Sequence, residues 1–350
     1  MRRRIIYFTA PKQIELREES LSVLGADEVL VETICSAISA GTEMMIYRGE
    51  FPKQIDAVDS ISSGIHYPTK YGYSNIGRVK EIGATVNGEW KDKFVFSFQP
   101  HTSHFITNPY SLFPIPESLS PEAACFLPNM ETAVNLVQDA APILGERVLV
   151  LGQGVIGLLT AALLKEFPLE TLVTADHYPL RREASLALGV TASLDPRTAD
   201  FCEEALSHCH HVLIPHRDIT ELPKRGGFDL TFELSGNPAA LNDAIAITAF
   251  SGRIVIGSWY GDKRASIDLG SVFHHSRIKL ISSQVSTVAP ELSARWDKQR
   301  RFDVAWEALK RIQPQKLITH RFPVEHANEA YRLLDENPQQ AVQIIFKYRG

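Results

Sequence analysis

Three glycines and one aspartate between residues 146 and 176 have the types and spacing of a nucleotide-binding turn. Gly152 permits a tight turn out of a strand, Gly154 leaves room for a pyrophosphate, and Gly157 lets the next helix pack closely on the sheet. The free N–H groups at the start of that helix attract phosphate oxygens. Asp176 follows at the spacing of a carboxylate that accepts ribose hydroxyls. The pattern therefore predicts a bound dinucleotide.

The residues around this turn favour NAD(H) over NADP(H), because the Asp176 carboxylate would repel a 2′-phosphate. Arg181 and Arg182 follow it and are able to neutralise such a phosphate, so NADP(H) stays the alternative. The predicted cofactor-binding residues are Gly152, Gln153, Gly154, Val155, Ile156, Gly157, Asp176, His177, Arg181, Ser235 and Gly257.

The elements that must position these residues alternate between strands and helices. A strand at 147–151, a helix at 155–167 and a strand at 172–176 begin a series that continues to residue 284. Such alternation with short connections predicts a parallel sheet covered on both faces. Residues 1 to about 125 show short apolar runs separated by Gly, Pro and polar turns, which predicts a β-rich region.

Composition excludes several classes of protein. The chain has 350 residues, which is enough for two domains. Its net charge of −5 gives no indication of a nucleic-acid-binding surface. Its longest apolar run is too short for a membrane span. Four cysteines without framework spacing predict a reducing, cytoplasmic environment. We expect small-molecule partners rather than nucleic acid or membrane.

The order of these regions resembles the medium-chain dehydrogenase/reductase (zinc-type alcohol dehydrogenase-like) superfamily. The segments that carry the resemblance are 27–32, 72, 77–83, 152–157, 232–236, 252–257 and 317–331. It implies an α/β fold with a GroES-like β-rich catalytic domain (1–125), a Rossmann doubly wound parallel sheet (126–284) and a C-terminal segment (285–350) that returns to the catalytic domain. It also implies a cleft between the domains and hydride transfer at the nicotinamide.

The zinc-ligand positions of the superfamily hold unsuitable residues in this chain. Aligning the sequence places Ser39, Tyr73 and about Pro128 where zinc-dependent members have their ligands. Zinc prefers thiolate, imidazole or carboxylate, and none of these three side chains supplies one. The four-cysteine lobe of some relatives is also missing. We therefore expect no zinc, and a branch of the superfamily that lacks the metal.

Two other groups of histidines and cysteines fail as predicted metal sites. Cys202 and residues 208–211 lie around a helix end, where neighbouring side chains point in different directions. His101 and His104 are three residues apart, so in a strand they fall on opposite faces. Packing or hydrogen bonding is the expected role of His101 and His104.

Without zinc, a protein side chain must polarise the substrate oxygen or deliver the proton. Tyr73 ranks first because its phenol donates to a carbonyl, followed by Glu131, Thr42 and Ser39. Structural alternatives stay open for each. Tyr73 would then only fill the volume left by the metal. Glu131 would only interact favourably with the dipole of its helix from the first turn.

Three further groups are candidates for substrate contact or ion pairing. Glu43 supplies a carboxylate that is a further candidate for the chemistry, and its structural alternative is an ion pair with Arg48. The long loop from Tyr47 to Tyr67 is poor in secondary-structure signal, which is typical of functional loops. The predicted substrate contacts are Tyr47, Arg48, His66 and Asn129. The cations of residues 295–302 fit an anionic substrate group, a solvated helix start or a subunit contact.

The leading hypothesis is a zinc-independent, NAD(H)-linked oxidoreductase acting on an alcohol/carbonyl pair. Segments 36–43, 127–133 and 295–301 are similar to the bacteriochlorophyllide a dehydrogenase-like group, which implies a bulky or polyhydroxylated secondary alcohol. The alternatives are quinone or enone reduction with NAD(P)H and a non-catalytic nucleotide-binding protein. The resemblance also implies a homodimer, paired through the strand near 278–282.

Overall fold

A computed structural model describes residues 1–51, 66–209 and 226–348. Numbered in chain order within these residues, the strands are β1 (Arg2–Ala10), β2 (Gln13–Ser20), β3 (Val29–Ala37), β4 (Asn75–Ile82), β5 (Phe94–Ser97), β6 (His104–Thr107), β7 (Phe113–Pro114), β8 (Arg147–Leu151), β9 (Thr171–Ala175), β10 (Ala192–Leu194), β11 (Phe228–Glu233), β12 (Thr248–Ile256), β13 (Lys279–Ser282), β14 (Ile318–Pro323) and β15 (Gln343–Lys347). The α-helices are α1 (Thr42–Arg48), α2 (Pro121–Ala124), α3 (Leu127–Ala140), α4 (Val155–Leu164), α5 (Pro179–Ala187), α6 (Phe201–Ser207), α7 (Ala240–Ile247), α8 (Val272–His275), α9 (Lys298–Ile312) and α10 (Ala327–Glu336).

The chain forms two compact units. Unit 1 comprises Met1–Pro128 and Phe302–Gly350, and unit 2 comprises Asn129–Arg301. The sequence placed the second boundary at 284/285, soon after β13. The structure keeps the following segment with unit 2, because the Arg301 guanidinium hydrogen-bonds the carbonyls of Val285 and Thr287.

Unit 2 is built on a six-stranded parallel sheet in the order β10-β9-β8-β11-β12-β13. Counted from β8, this is the strand order 3-2-1-4-5-6 of a dinucleotide-binding doubly wound fold. The predicted α/β fold class is thereby confirmed. Strands β8 and β9 are apolar and almost wholly buried, as expected for a parallel sheet covered on both faces.

Helices cover this sheet and bury its side chains. Residues of β8, β9, α6 and α7 share one apolar core, which includes Leu149, Val173, Phe201 and Leu241. The helix α4 is apolar around most of its surface, with every residue from Gly157 to Leu164 buried. A helix of this kind packs in the interior rather than at the surface.

Unit 1 is β-rich, as the sequence predicted. Its main sheet runs β14-β15-β3-β4-β5-β7, with β6 also paired to β3, and β1 and β2 form a separate hairpin. The last strand, β15, pairs antiparallel with β3, which confirms the return of the C-terminal segment to this region. The core contains Phe8, Tyr47, Tyr331 and Phe346, whose rings pack edge-on or stacked.

The short elements show where sequence patterns were weakest. Helix α1 covers only seven residues, and its last residues were predicted as part of a loop. Helix α3 begins at Leu127 rather than Glu131, so Pro128 and Asn129 lie in its first turn. None of the helices in the described residues combines the length and apolar character that a membrane crossing requires.

Candidate functional site

The glycine turn between β8 and α4 has the backbone that a dinucleotide needs. Gly152 has φ +90°, the left-handed region that glycine adopts at little cost. A Cβ at Gly157 would lie 1.9 Å from the Gly152 carbonyl oxygen, whereas a Cβ at Gly154 would meet nothing within 4 Å. Gly154 is the N-cap of α4 and has no side chain that could cap the helix. The backbone N–H groups of Val155 and Ile156 are therefore left for a ligand.

Two buried polar groups face this turn. The Asp176 carboxylate accepts hydrogen bonds from the backbone N–H of Gln153 at 2.7 Å and of Tyr178 at 2.9 Å. Each carboxylate oxygen can accept further bonds, which leaves capacity for ribose hydroxyls. The side-chain oxygen of Gln153 is buried and has no partner among the described residues. Both observations fit a polar ligand at this turn.

The remaining predicted cofactor residues differ in whether their side chains are exposed or already have protein partners. His177 is exposed, and the Arg181 guanidinium lies 4.8 Å from the Tyr178 ring centre and 3.8 Å from the Asp176 carboxylate. The Ser235 hydroxyl donates to Glu233. Gly257 donates its N–H to the Glu233 carbonyl, and a Cβ there would collide with Leu136 and Leu234. Gly257 therefore serves close packing.

In unit 1, the structure brings three of the four predicted catalytic residues together. The Tyr73 hydroxyl donates a hydrogen bond to the Ser39 hydroxyl and shares another with Thr42. All three side chains are half-buried. Burial and, to a smaller extent, the nearby Glu43 carboxylate raise the pKa of the Tyr73 phenol, while the hydroxyl partners oppose the rise. We call Tyr73, Ser39 and Thr42 the hydroxyl cluster.

Sequence reasoning missed the buried network beneath this cluster. Glu43 has no exposed side-chain surface, and its carboxylate accepts from the Ser39 N–H at 2.8 Å and the Tyr331 hydroxyl at 2.5 Å. His101 Nε2 lies 2.9 Å from the same carboxylate. The predicted ion pair of Glu43 with Arg48 is therefore wrong. The hydrogen-bonding role predicted for His101 is confirmed.

Glu131, the fourth catalytic candidate, lies in unit 2 against Arg301. The guanidinium, 1% exposed, bonds Glu131 Oε1 at 2.8 and 3.1 Å and the Asn135 amide oxygen at 2.5 Å. Arg301 belongs to the cation-rich segment that the sequence offered to an anionic substrate. The structure instead gives this guanidinium an internal carboxylate partner.

The predicted substrate contacts differ in their surroundings. Tyr47 is buried in the core and stacks on Tyr331, and Arg48 forms an ion pair with Asp335 at 2.7 Å. These two side chains therefore have structural partners. His66 is exposed and Asn129 is half-buried. Tyr47, Arg48 and His66 come from one predicted loop. Most of that loop, residues 52–65, lies outside the described residues.

Zinc ligands do not surround the hydroxyl cluster. Across residues 1–51, 66–209 and 226–348, no group of three or more His, Cys, Asp or Glu side chains is arranged to hold a metal ion. The Cys35 and Cys125 sulfurs face each other at 3.5 Å in the core of unit 1. In the cluster at 202–211, burial raises the pKa of the Cys209 thiol to about 11, which disfavours a thiolate ligand, and His210 and His211 lie outside the described residues.

Comparison with known proteins finds dehydrogenases. Residues 155–299 match the family described as zinc-binding dehydrogenase. The match covers the helix after the glycine turn and most of unit 2, where the doubly wound sheet lies.

Similarity to individual dehydrogenases extends over both units. The D-guloside 3-dehydrogenase of Escherichia coli K12 is 24% identical over 96% of this chain and 97% of its own length. The 2R,3R-butanediol dehydrogenase of Bacillus subtilis has a TM-score of 0.77 at 19% identity, with 99% of each chain covered. A short chain alcohol dehydrogenase from E. coli CFT073, complexed with NADH, has a TM-score of 0.75 at 18% identity and the same coverage.

The two solved structures share the fold of this chain. Dehydrogenase relatives that align over 93–96% of this chain identify it as an oxidoreductase.

Proposed function

We propose that this oxidoreductase transfers a hydride between NAD(H) and a secondary alcohol/carbonyl pair without zinc, with Tyr73 as the proton donor. The observation that carries the proposal is the hydroxyl cluster. Tyr73, Ser39 and Thr42 bring three exchangeable protons together at half-buried positions. A zinc site would need thiolate, imidazole or carboxylate ligands at these positions.

The phenol suits proton donation in the direction of carbonyl reduction. The Tyr73 phenol carries its proton at neutral pH, where burial keeps its pKa above the ordinary value, and this proton can pass to the substrate oxygen as negative charge develops there. The Ser39 and Thr42 hydroxyls, which are partly exposed, replace that proton from solvent. Bound NADH would supply the hydride to the carbonyl carbon. The carbonyl is thereby reduced to the alcohol and the nicotinamide is oxidised.

Unit 2 supplies the coenzyme site. Residues 152–157 would hold the pyrophosphate through backbone N–H groups, and Asp176 would accept the ribose hydroxyls. We propose NAD(H) rather than NADP(H), since the Asp176 carboxylate would oppose a 2′-phosphate. The choice rests on Asp176, because the related solved structures hold either NADH or NADP.

The substrate class follows from the relatives. A guloside 3-dehydrogenase and a butanediol dehydrogenase are both named for secondary alcohols that carry a neighbouring hydroxyl. We propose a secondary alcohol of a polyhydroxylated compound. We also propose a homodimer that continues the sheet of unit 2 through β13, an edge strand on which Leu280 is 38% exposed.

A substrate panel with metal analysis tests the proposal. The purified chain is mixed with NAD⁺ or NADP⁺ and with methyl D-guloside, 2,3-butanediol or threonine, and the reduced coenzyme is followed by absorbance. Quinones and enones with NADH or NADPH form the opposing arm. Oxidation of the guloside or the diol without bound metal is expected. Stoichiometric zinc, or turnover only of quinones and enones, would overturn the proposal.

Asp176→Ser tests the coenzyme assignment. The substitution removes the charge that opposes a 2′-phosphate, and such a charge pair contributes about 1–4 kcal/mol at close range. We expect the preference for NADH over NADPH, measured as the ratio of dissociation constants, to fall at least about tenfold. An unchanged ratio would remove Asp176 from coenzyme selection.

A further inference from the structure

The carboxylate of Glu43 lies within the core of unit 1, directly beneath the hydroxyl cluster. We propose that Glu43 and His101 form a positioning pair, which fixes the Tyr73 phenol by holding the backbone on both sides of it. This inference rests on the proposed function, in which Tyr73 donates the proton. Neither side chain touches the substrate in the proposal; they act through Ser39 and Gly72.

Glu43 closes the loop that carries the partners of Tyr73. Its backbone N–H donates to the Ser39 carbonyl at 3.0 Å, and its carboxylate accepts from the Ser39 N–H at 2.8 Å. This reciprocal pair resembles a capping box, in which two backbone donors are satisfied together. The loop 39–42 is therefore fixed at both ends, with the Ser39 hydroxyl directed to Tyr73.

His101 holds the segment that carries Tyr73 itself. Its backbone N–H donates to the Tyr71 carbonyl at 3.3 Å. Gly72 has φ +121°, and a Cβ there would lie only 2.8 Å from His101 Cδ2. The imidazole thus packs against the backbone immediately before Tyr73. A displaced His101 would leave the phenol free to change its direction.

The pair is anchored from two other elements. His101 Nδ1 lies 2.7 Å from the Ser36 hydroxyl on β3, which lies 2.9 Å from the Tyr348 hydroxyl. Tyr331 on α10 donates to Glu43. With a proton on Nε2, His101 donates to Glu43 and accepts from Ser36, and every polar group in the chain of bonds has a partner.

Stability alone does not account for such a pair. A buried carboxylate costs free energy unless it is paired and hydrogen-bonded, and apolar replacements of buried polar pairs are often as stable. The pair instead gives the loop 39–42 and the segment 71–73 one defined arrangement. That is the property that a proton donor requires, because small displacements of a catalytic group lower the rate strongly.

Two readouts test the positioning role without any substrate. The first is hydrogen exchange of the Ser39 amide, followed by mass spectrometry on peptides that cover the loop. The second is the titration of Tyr73, taken as the tyrosinate absorbance difference between each variant and its Tyr73→Phe partner. The variants are Glu43→Ala and Glu43→Gln, and the matched control is Glu19→Gln, which alters a carboxylate with three donors elsewhere in unit 1.

Glu43→Ala removes the acceptor, so we expect the Ser39 amide to exchange about tenfold faster. Glu43→Gln keeps an acceptor for Ser39 but removes the charge, so exchange stays near the wild-type rate while the pKa of Tyr73 falls. Glu19→Gln changes neither readout. The rescue of exchange by glutamine separates positioning from a general loss of stability.

An unchanged Tyr73 titration in Glu43→Gln, or equal Ser39 protection in Glu43→Ala and wild type, would overturn the proposal. If Glu43→Ala does not fold, the isosteric Glu43→Gln decides through the Tyr73 titration. Failure of the proposed function has a different signature. In that case Tyr73→Phe turns over as fast as wild type, whereas both readouts of the pair remain as described.

Discussion

Two buried carboxylates, Glu43 in unit 1 and Glu131 in unit 2, are satisfied by different kinds of partner. Glu43 in unit 1 accepts from an amide, a phenol and an imidazole, and lies beneath half-buried hydroxyls. Glu131 in unit 2 lies against the guanidinium of Arg301, which also bonds Asn135 and two backbone carbonyls.

The difference indicates two roles: the pair of Glu131 and Arg301 stabilises the fold, whereas the network of Glu43 positions nearby groups. Arg is always charged and presents five donors in a rigid fork, so the pair with Arg301 holds chain segments together over the whole physiological pH range. Among the described residues, the hydrogen-bond partners of the Glu43 carboxylate are an amide, a phenol and an imidazole, none of which is a permanent cation. We expect substitutions of the pair Glu131 and Arg301 to act mainly on stability, and substitutions at Glu43 to act on the hydroxyl cluster as well.

Arg301→Ala should give the largest effect on stability. It leaves the Glu131 carboxylate buried without its cation and removes donors from the carbonyls of Val285 and Thr287. Removing one partner of a buried pair costs about 3–5 kcal/mol. The free energy of unfolding in urea measures this loss. As a control, Glu131→Met combined with Arg301→Met should recover most of it. A loss below about 1 kcal/mol for Arg301→Ala would break the comparison.

Tyr331→Phe should give an intermediate effect. The ring keeps its stacking on Tyr47, but Glu43 loses one donor, and an unsatisfied buried group costs about 1–3 kcal/mol. Tyr348→Phe is the matched control, because its hydroxyl bonds only the neutral Ser36 and its loss should cost about 1 kcal/mol. Urea unfolding of both variants ranks them. A larger loss for Tyr348→Phe would contradict the special cost assigned to Glu43.

Glu19 provides the smallest expected effect and a third kind of carboxylate, one at the edge of solvent. A hydrogen bond from Tyr7, together with those from Arg3 and Lys70, lowers the pKa of Glu19 from 4.5 to about 2. A lowered pKa stabilises the folded state above the unfolded pKa. This contribution is therefore complete above about pH 5 and is lost as the pH falls toward 2.

Urea unfolding of wild type and Glu19→Gln at two pH values measures this contribution. The difference in unfolding free energy between the two proteins should be present at about pH 6 and should shrink at about pH 3. A difference that stays constant between these two conditions would show that the ionised form of Glu19 does not contribute.

The glycine turn between β8 and α4 could be predicted from the sequence because its geometry is local. Gly152, Gly154 and Gly157 lie within one strand-to-helix connection, and Asp176 ends the next strand, so their spacing fixes their geometry. The parallel sheet of unit 2 could be predicted from the alternation of strands and helices for the same reason.

The buried pairs could not be predicted because their members are far apart in the chain. Glu43 and His101 are 58 residues apart, and Glu131 and Arg301 are 170 apart. No spacing rule links such positions, and each side chain had a closer candidate partner, such as Arg48 for Glu43. Only the pairing of β15 with β3 and the packing of α10 bring Tyr348 and Tyr331 to the same network.

The central claim is that hydride transfer in this protein relies on the Tyr73 phenol rather than on a metal. Its most direct test is the single-turnover rate of NADH oxidation by wild type and Tyr73→Phe, with the carbonyl compound that turns over fastest in the panel. The account predicts a rate about 10²–10⁴-fold lower in the variant, with the dissociation constant for NADH unchanged. A rate within about twofold of wild type would contradict it.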